Sequence, residues 1–225
     1  MAVKVQIYGE RCSGTNYLEN LLELNFNVQI IWNYGWKHFF GFADLSGSDD
    51  VLFIGIVRNL DDWANSLYRM RHHLPTAVTK DVSTFLTSEF YSIDKGQGNR
   101  EIMEDRNIET GARYRNIFEL RLVKNRFLVD TMPTLVKNYC LITHDDLIDK
   151  FQETMCKLQS HGLMLRSEGS EGSDPSEGFR NITYYKKSKD KPYVKQANLF
   201  SINTNILPEA LLRYENRLFS KRRNG

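Results

Sequence analysis

Residues with the means to do chemistry fall in a few short stretches, and the first is "GERCSGTN", residues 9–16. Gly9 and Gly14 are separated by four residues, as in the nucleotide-triphosphate loop G-x-x-x-x-G-K-[ST]. Thr15 stands in the place of the lysine and Asn16 in the place of the Mg²⁺-binding hydroxyl. The loop therefore lacks the groups that hold a γ-phosphate and its metal. It keeps Arg11, Ser13, Thr15, Asn16 and a run of backbone N–H groups, a set suited to one phosphate or sulfate without a metal. The alternative is a plain tight turn. A C-x5-R phosphatase loop starting at Cys12 would need arginine at position 18, which is Leu18.

A second stretch reads "VRNLDDWANSLYRM", residues 57–70. Arg58 directly follows an apolar run, and ligands of open parallel sheets bind outside the carboxyl ends of the strands. Ser66, at 100° per residue along a helix, falls on the shoulder of the Trp63/Leu67/Met70 face. An arginine at a strand end and an inward-leaning serine can clasp a second phosphate. The alternative is an Arg58–Asp ion pair with Ser66 as a small packing residue. Arg121 sits on an apolar face with Ile117, Phe118 and Leu128, next to Asn125. A buried arginine needs an anion, and Glu19 or Asp62 is the expected partner, with a bound ligand as the alternative.

The elements that must position these residues follow from periodicity. Residues 3–8 read as a strand, 9–14 as a loop and 15–25 as a helix, which sets the N–H groups near 13–16 at a helix N-terminus. Residues 28–32 form a second strand pattern, followed by the aromatic loop "NYGWKHFFGF". The run "VLFIGIV", residues 51–57, reads as a strand covered on both faces. Asp61 and Asp62 open the next helix. A helix is expected near 81–91, a loop at 93–101, a longer helix at 112–130, a strand at 138–143 and a helix at 145–162 that stops at Gly162. The Ser/Gly/Glu-rich run 166–179 reads as a flexible loop or lid. A Lys/Tyr-rich stretch and a last helix at 208–219 follow. Alternating strands and helices predict one α/β domain over 1–225 with a mainly parallel sheet.

Composition narrows the function classes. The chain has 225 residues, 41% hydrophobic and 26% charged, with a net charge of +2. That balance argues against a dedicated nucleic-acid binder and leaves room for a local anion pocket. Cys12, Cys140 and Cys156 show no metal-ligand spacing and read as reduced thiols. No apolar run reaches the ~18 residues of a membrane helix, and the first residues lack a signal-peptide core. The expectation is a cytoplasmic protein without membrane or nucleic-acid partners.

Taken together, "RCSGTNYLENLL" and "VRNLDDWANSLYRM" resemble the two signature regions of the sulfotransferases that use 3′-phosphoadenosine 5′-phosphosulfate (PAPS). Those regions are of the types [KR]-S-G-T-[TN]-x-[LW] and [VL]-R-N-P-x-D-x-x-x-S-x-[YF]. "YCLITHDDL" is similar to the family's later strand–helix segment. The resemblance implies a P-loop NTPase-like three-layer α/β fold. It implies a 5′-phosphosulfate site at Arg11, Cys12, Ser13, Gly14, Thr15 and Asn16, and a 3′-phosphate site at Arg58 and Ser66. The family's C-terminal R-K-G segment is absent as such, and Lys186, with Lys187, is its nearest substitute. Many members carry a catalytic lysine and histidine just after the second strand, which here are Lys37 and His38; Glu10 is the reserve base. Trp36, Phe39, Phe40 and Phe42 would line the acceptor pocket. Cys12 departs from the family by occupying the place of a basic residue, so either Arg11 reaches in from its shifted position or another basic group takes that contact.

The implied reaction moves a sulfuryl group from PAPS to a hydroxyl or amine, leaving PAP, with no metal. A small molecule, a carbohydrate and a peptide tyrosine all remain open as acceptor. A nucleotide or small-molecule kinase with a degenerate loop, or a non-catalytic PAP-binding module, are the alternative readings.

Overall fold

A computed structural model describes residues 2–71, 73–166, 178–182 and 196–219. Four strands form one sheet: β1 (Val3–Tyr8), β2 (Val28–Ile30), β3 (Val51–Val57) and β6 (Tyr139–Thr143), in the order β2-β1-β3-β6. Every pairing is parallel, with Val5 opposite Ile30 and Leu52, and Ile54 opposite Ile7 and Cys140. Parallel neighbours require crossover connections; α1 separates β1 from β2 and helices separate β3 from β6, while a loop joins β2 to β3. The wholly apolar run of β3 is buried along its length.

Side chains alternate across β3 as the two-residue period requires. Leu52, Ile54 and Ile56 join Leu18, Leu21, Leu22, Met155 and Leu158 on one face. Val51, Phe53 and Val57 join Phe40, Phe127, Leu128 and Met132 on the other. The first layer is built by α1 (Thr15–Asn25), α6 (His144–Asp149) and α7 (Phe151–Ser160). The opposite layer holds α4 (Ile117–Arg126), a π-helical turn (Phe127–Thr131) and α5 (Met132–Leu135). A further core unites α2 (Leu60–Met70), α3 (Val82–Thr87), α4 and α8 (Glu209–Phe219) around Trp63, Leu67, Phe85, Leu120 and Leu211.

Several expected boundaries move, each for a local reason. The helix expected at 112–130 starts at Ile117, because Asn116 caps it and the preceding chain is held in turns, with Gly111 N–H bonded to the Asn107 carbonyl at 2.7 Å. The helix expected at 81–91 stops at Thr87, because Phe90 leaves to form a bridge with Tyr114. The expected loop at 93–101 contains a short antiparallel pair, β4 (Ile93–Asp94) and β5 (Arg100–Glu101), turned by Gly98 and Asn99 at positive φ. The helix expected at 145–162 breaks at Lys150. Most of the 166–179 run, and Lys186 with Lys187, lie outside the described residues. Among the described residues, no helix is long and apolar enough to cross a membrane.

What this architecture does for chemistry is local. The loop after β1, the Arg58–Asn59 turn after β3 and the Thr143–His144 turn after β6 all lie at the carboxyl edge of the sheet. The loop sits closely over β3: a Cβ on Gly9 would lie 2.7 Å from both the Ile56 carbonyl oxygen and its Cγ2. Gly9→Ala is therefore expected to cost about 1–3 kcal/mol, whereas Gly96→Ala, in the exposed hairpin, should change stability by less than about 0.5 kcal/mol. Denaturant unfolding of both variants checks this; equal midpoints would contradict the packing.

Candidate functional site

The site is built around the loop from Gly9 to Gly14. Its backbone is held from several directions. Ser13 N–H bonds the Glu10 carbonyl at 3.0 Å, and Gly9 N–H bonds the Lys37 carbonyl at 3.0 Å. Trp63 Nε1 donates to the Arg11 carbonyl at 3.0 Å, and Arg58 Nη1 to the Cys12 carbonyl at 3.1 Å. Cys12 and Gly14 take left-handed φ values of 66° and 96°. Gly14 is required twice, since a Cβ there would also meet His144 Cδ2 at 2.4 Å. Helix α1 starts at Thr15 with no side-chain cap. The N–H groups of its first turn thus carry the positive end of the helix dipole to the loop without a side-chain acceptor at the cap.

Arg58 and Ser66 converge on this loop. Arg58 is buried, donates to the Cys12 carbonyl, and leaves Nε without a hydrogen-bond partner. Ser66 lies beside the Cys12 thiol, close enough to favour the thiolate. Burial pushes that thiol up, with Ser66 and the nearby arginines pulling the other way. Asn59 caps α2 by accepting from Asp62 N–H, and its Nδ2 donates to Asp145 Oδ1 at 2.8 Å, tying the β3 turn to the β6 turn. The expected carboxylate for Arg121 is corrected: its Nε donates to Glu215 Oε1 at 2.6 Å, not to Glu19 or Asp62. Glu19 lies against Lys37, and Asp62 bonds Asn59 and Asn198.

Lys37 and His38 face the loop from the β2–β3 connection. Lys37 Nζ donates to Asn16 Oδ1 and to Glu19 Oε1, the latter at 2.6 Å, and lies 5.4 and 5.2 Å from the ring centroids of Trp32 and Trp36. His38 Nδ1 is 2.7 Å from the Gly9 carbonyl oxygen. A carbonyl only accepts, so Nδ1 carries the hydrogen and Nε2 the lone pair. Burial pulls the imidazole down to about 3, with the Gly9 bond opposing and Lys37, Arg11 and Lys124 adding to the fall. The ring is neutral at physiological pH. Trp36 is exposed beside it and Phe42 is exposed elsewhere on the same loop, whereas Phe40 is a core residue stacked on Tyr8 and Phe127.

Arg11 does not reach in from its shifted position to replace the missing basic residue. Its Nη2 bonds Asp105 Oδ2 at 2.9 Å in a buried cluster, and its guanidinium lies 5.4 Å from the Phe90 ring centroid. Lys124 Nζ completes the cluster, contacting Asp105 Oδ1 at 2.7 Å, Glu10 Oε1 at 2.9 Å and the His38 carbonyl at 2.7 Å. Burial opposes the charge on Asp105 and on Lys124, but their mutual attraction, with Arg11 and Glu10, outweighs it and keeps both ionised. Burial pushes Glu10 up against the pull of Lys124. Glu10, the reserve base, is thus a buried member of an ion cluster. The cation that does stand over the loop is Lys37.

Sequence reasoning missed Asp105, Lys124, Glu215 and His144. Asp105 lies in a stretch without periodicity. Lys124 and Glu215 look like ordinary charged helix residues. His144 precedes two aspartates at a helix start, and only its place after β6 hinted at the site.

His38 should leave a signature in stability. Its folded value lies near 3, against about 6.5 when unfolded. The unfolded chain binds more protons between those values, so this residue's contribution falls as pH drops from about 6.5, by at most about 1.4 kcal/mol per pH unit. His38→Gln should therefore show a shallower loss of stability than the parent between pH 6.5 and 4 in denaturant unfolding. Parallel curves would contradict the buried neutral imidazole.

Compared with protein-family models, curated proteins and solved structures, the chain finds no match in any of the three.

Proposed function

We propose that the chain is a PAPS-dependent sulfotransferase on a P-loop NTPase-like fold. The observation that carries this reading is the meeting of its two distant stretches at one point: Arg58 donates to the Cys12 carbonyl at 3.1 Å in the loop after β1, with Ser66 beside the Cys12 thiol. A nucleotide with phosphates at both ends of its ribose needs such a pair of adjoining anion sites. The loop supplies backbone N–H groups and the Thr15 and Asn16 side chains for the 5′ end. Arg58, with an unsatisfied Nε, and Ser66 supply the 3′ end.

Each catalytic requirement then has a residue. Lys37 takes the place expected of Arg11 because of where the side chains end: Arg11 points to Asp105, whereas Lys37 Nζ, paired with Glu19, also bonds Asn16 at the start of α1. PAPS supplies an activated sulfuryl group on a phosphate leaving group. Lys37 and the N-terminus of α1 stabilise the charge that grows on that leaving group. His38 Nε2 takes the proton of the acceptor hydroxyl as its oxygen bonds to sulfur, and the Gly9 carbonyl holds the ring in the tautomer that makes this possible. The exposed Trp36 beside His38 offers an apolar wall for the acceptor.

Calorimetric titration with PAP, PAPS and ATP–Mg²⁺ tests the reading. The parent chain should bind PAP and PAPS, and Arg58→Ala should weaken PAP roughly ten- to hundredfold, the value of a charge-assisted contact. Binding of ATP–Mg²⁺ without binding of PAP would point to the kinase alternative and overturn the proposal.

A further inference from the structure

Two buried arginines meet at the end of β3, and among the described residues only Arg121 is paired with a carboxylate. Arg121, on α4, donates from Nε to Glu215 Oε1 at 2.6 Å and from Nη2 to the Arg58 carbonyl at 2.5 Å. Its guanidinium also sits 5.0 Å from the centroid of the Trp63 ring, whose Nε1 holds the Arg11 carbonyl. Arg58 is 8% exposed, and among the described residues it forms no ion pair and its Nε has no hydrogen-bond partner. The charge of Arg121 is met by Glu215, while among the described residues no carboxylate pairs with Arg58.

Glu215 belongs to α8, whose Leu211 packs in the same core as Ile117 and Leu120 of α4. A second contact, Asn125 Nδ2 to Glu215 Oε1 at 3.4 Å, aims the same carboxylate. The C-terminal helix is thereby connected through Glu215 and Arg121 to the backbone that carries Arg58. An arginine can do this where a lysine cannot, because its planar fork donates in two directions at once.

We infer that Arg121 and Glu215 are positioning residues that make the C-terminal helix part of the anion site and set its preference for a 3′-phosphorylated nucleotide. This deepens the sulfotransferase reading and rests on it. The relay fixes the Arg58 backbone, and with it the direction from which the guanidinium meets a 3′-phosphate. Among the described residues it makes no direct bond to residues 13–16, which hold the 5′ end; its reach to the loop is indirect, through Trp63 on the Arg11 carbonyl and Arg58 on the Cys12 carbonyl. Loss of the relay should therefore weaken binding of PAP and leave 5′-AMP, which lacks the 3′-phosphate, nearly unchanged. A relay that served only to hold the fold would weaken both equally.

The test is a pair of titrations, PAP and 5′-AMP, on the parent chain, Arg121→Lys and Glu215→Gln. Arg121→Lys keeps the cation and loses the fork; Glu215→Gln keeps the shape and loses the charge, so the second stands if the first fails to fold. The PAP-to-AMP affinity ratio should fall about tenfold or more in either folded variant, with AMP affinity within about twofold of the parent. An unchanged ratio in folded variants, or equal weakening of both nucleotides, would overturn the inference while leaving the parent's PAP binding intact. A parent chain that binds neither nucleotide would instead overturn the sulfotransferase reading beneath it.

Discussion

The contact between Gly9 and Ile56 is the constraint on which the site depends. The chain leaves β1 and must cross the end of β3 before it can start α1. It can do so only where backbone meets backbone, since a Cβ on Gly9 would fall 2.7 Å from the Ile56 carbonyl. That crossing puts Cys12 beside Arg58 and Ser66. It also brings Gly9 against the Lys37–His38 segment, where an N–H and a carbonyl of one glycine are both used. A few ångströms of added distance would separate the loop from three of its partners.

Around this crossing the protein buries an unusual amount of charge. Glu10, Arg11, Asp105 and Lys124 are all at most 5% exposed, and their formal charges balance. Such a cluster adds little net stability over apolar packing, yet removing one member leaves a bare ion and costs about 3–5 kcal/mol. Its effect here is geometric. Lys124 reaches from α4 to the His38 carbonyl, and Asp105 brings in the segment between α3 and α4. The loop, the imidazole and that segment are thus fixed relative to one another by charge, which tolerates few alternative arrangements. The same logic explains why Arg11 is unavailable to a ligand and why Lys37, held by Glu19 and Asn16, stands in its place.

The sheet was largely legible in the sequence. The apolar run of β3, the β-rich residues of β1 and the glycine spacing between β1 and α1 are local signals, and the structure keeps each of them. The places of Arg58 after β3 and of Ser66 on α2 were legible too, because a strand end and a helix face are both short-range inferences. What escaped was side-chain direction and distant pairing. Arg11 occupies a loop position from which a long side chain can turn to either side, and its partner Asp105 is 94 positions away. Glu215 is likewise 94 positions from Arg121, so a nearer aspartate or glutamate looked equally able to meet it. Lys124 carries no sequence mark of its burial, since lysines on helices usually face water.

The central claim is that the Arg58–Ser66 pair and the loop form two adjoining anion sites for one nucleotide. A crystal structure with PAP tests it most directly. The account predicts the 3′-phosphate on Arg58 and Ser66, the 5′-phosphate over residues 13–16 with Lys37 beside it, and Arg11 still bonded to Asp105. PAP bound elsewhere, or with its 5′-phosphate held by Arg11 and Arg58 left empty, would contradict it.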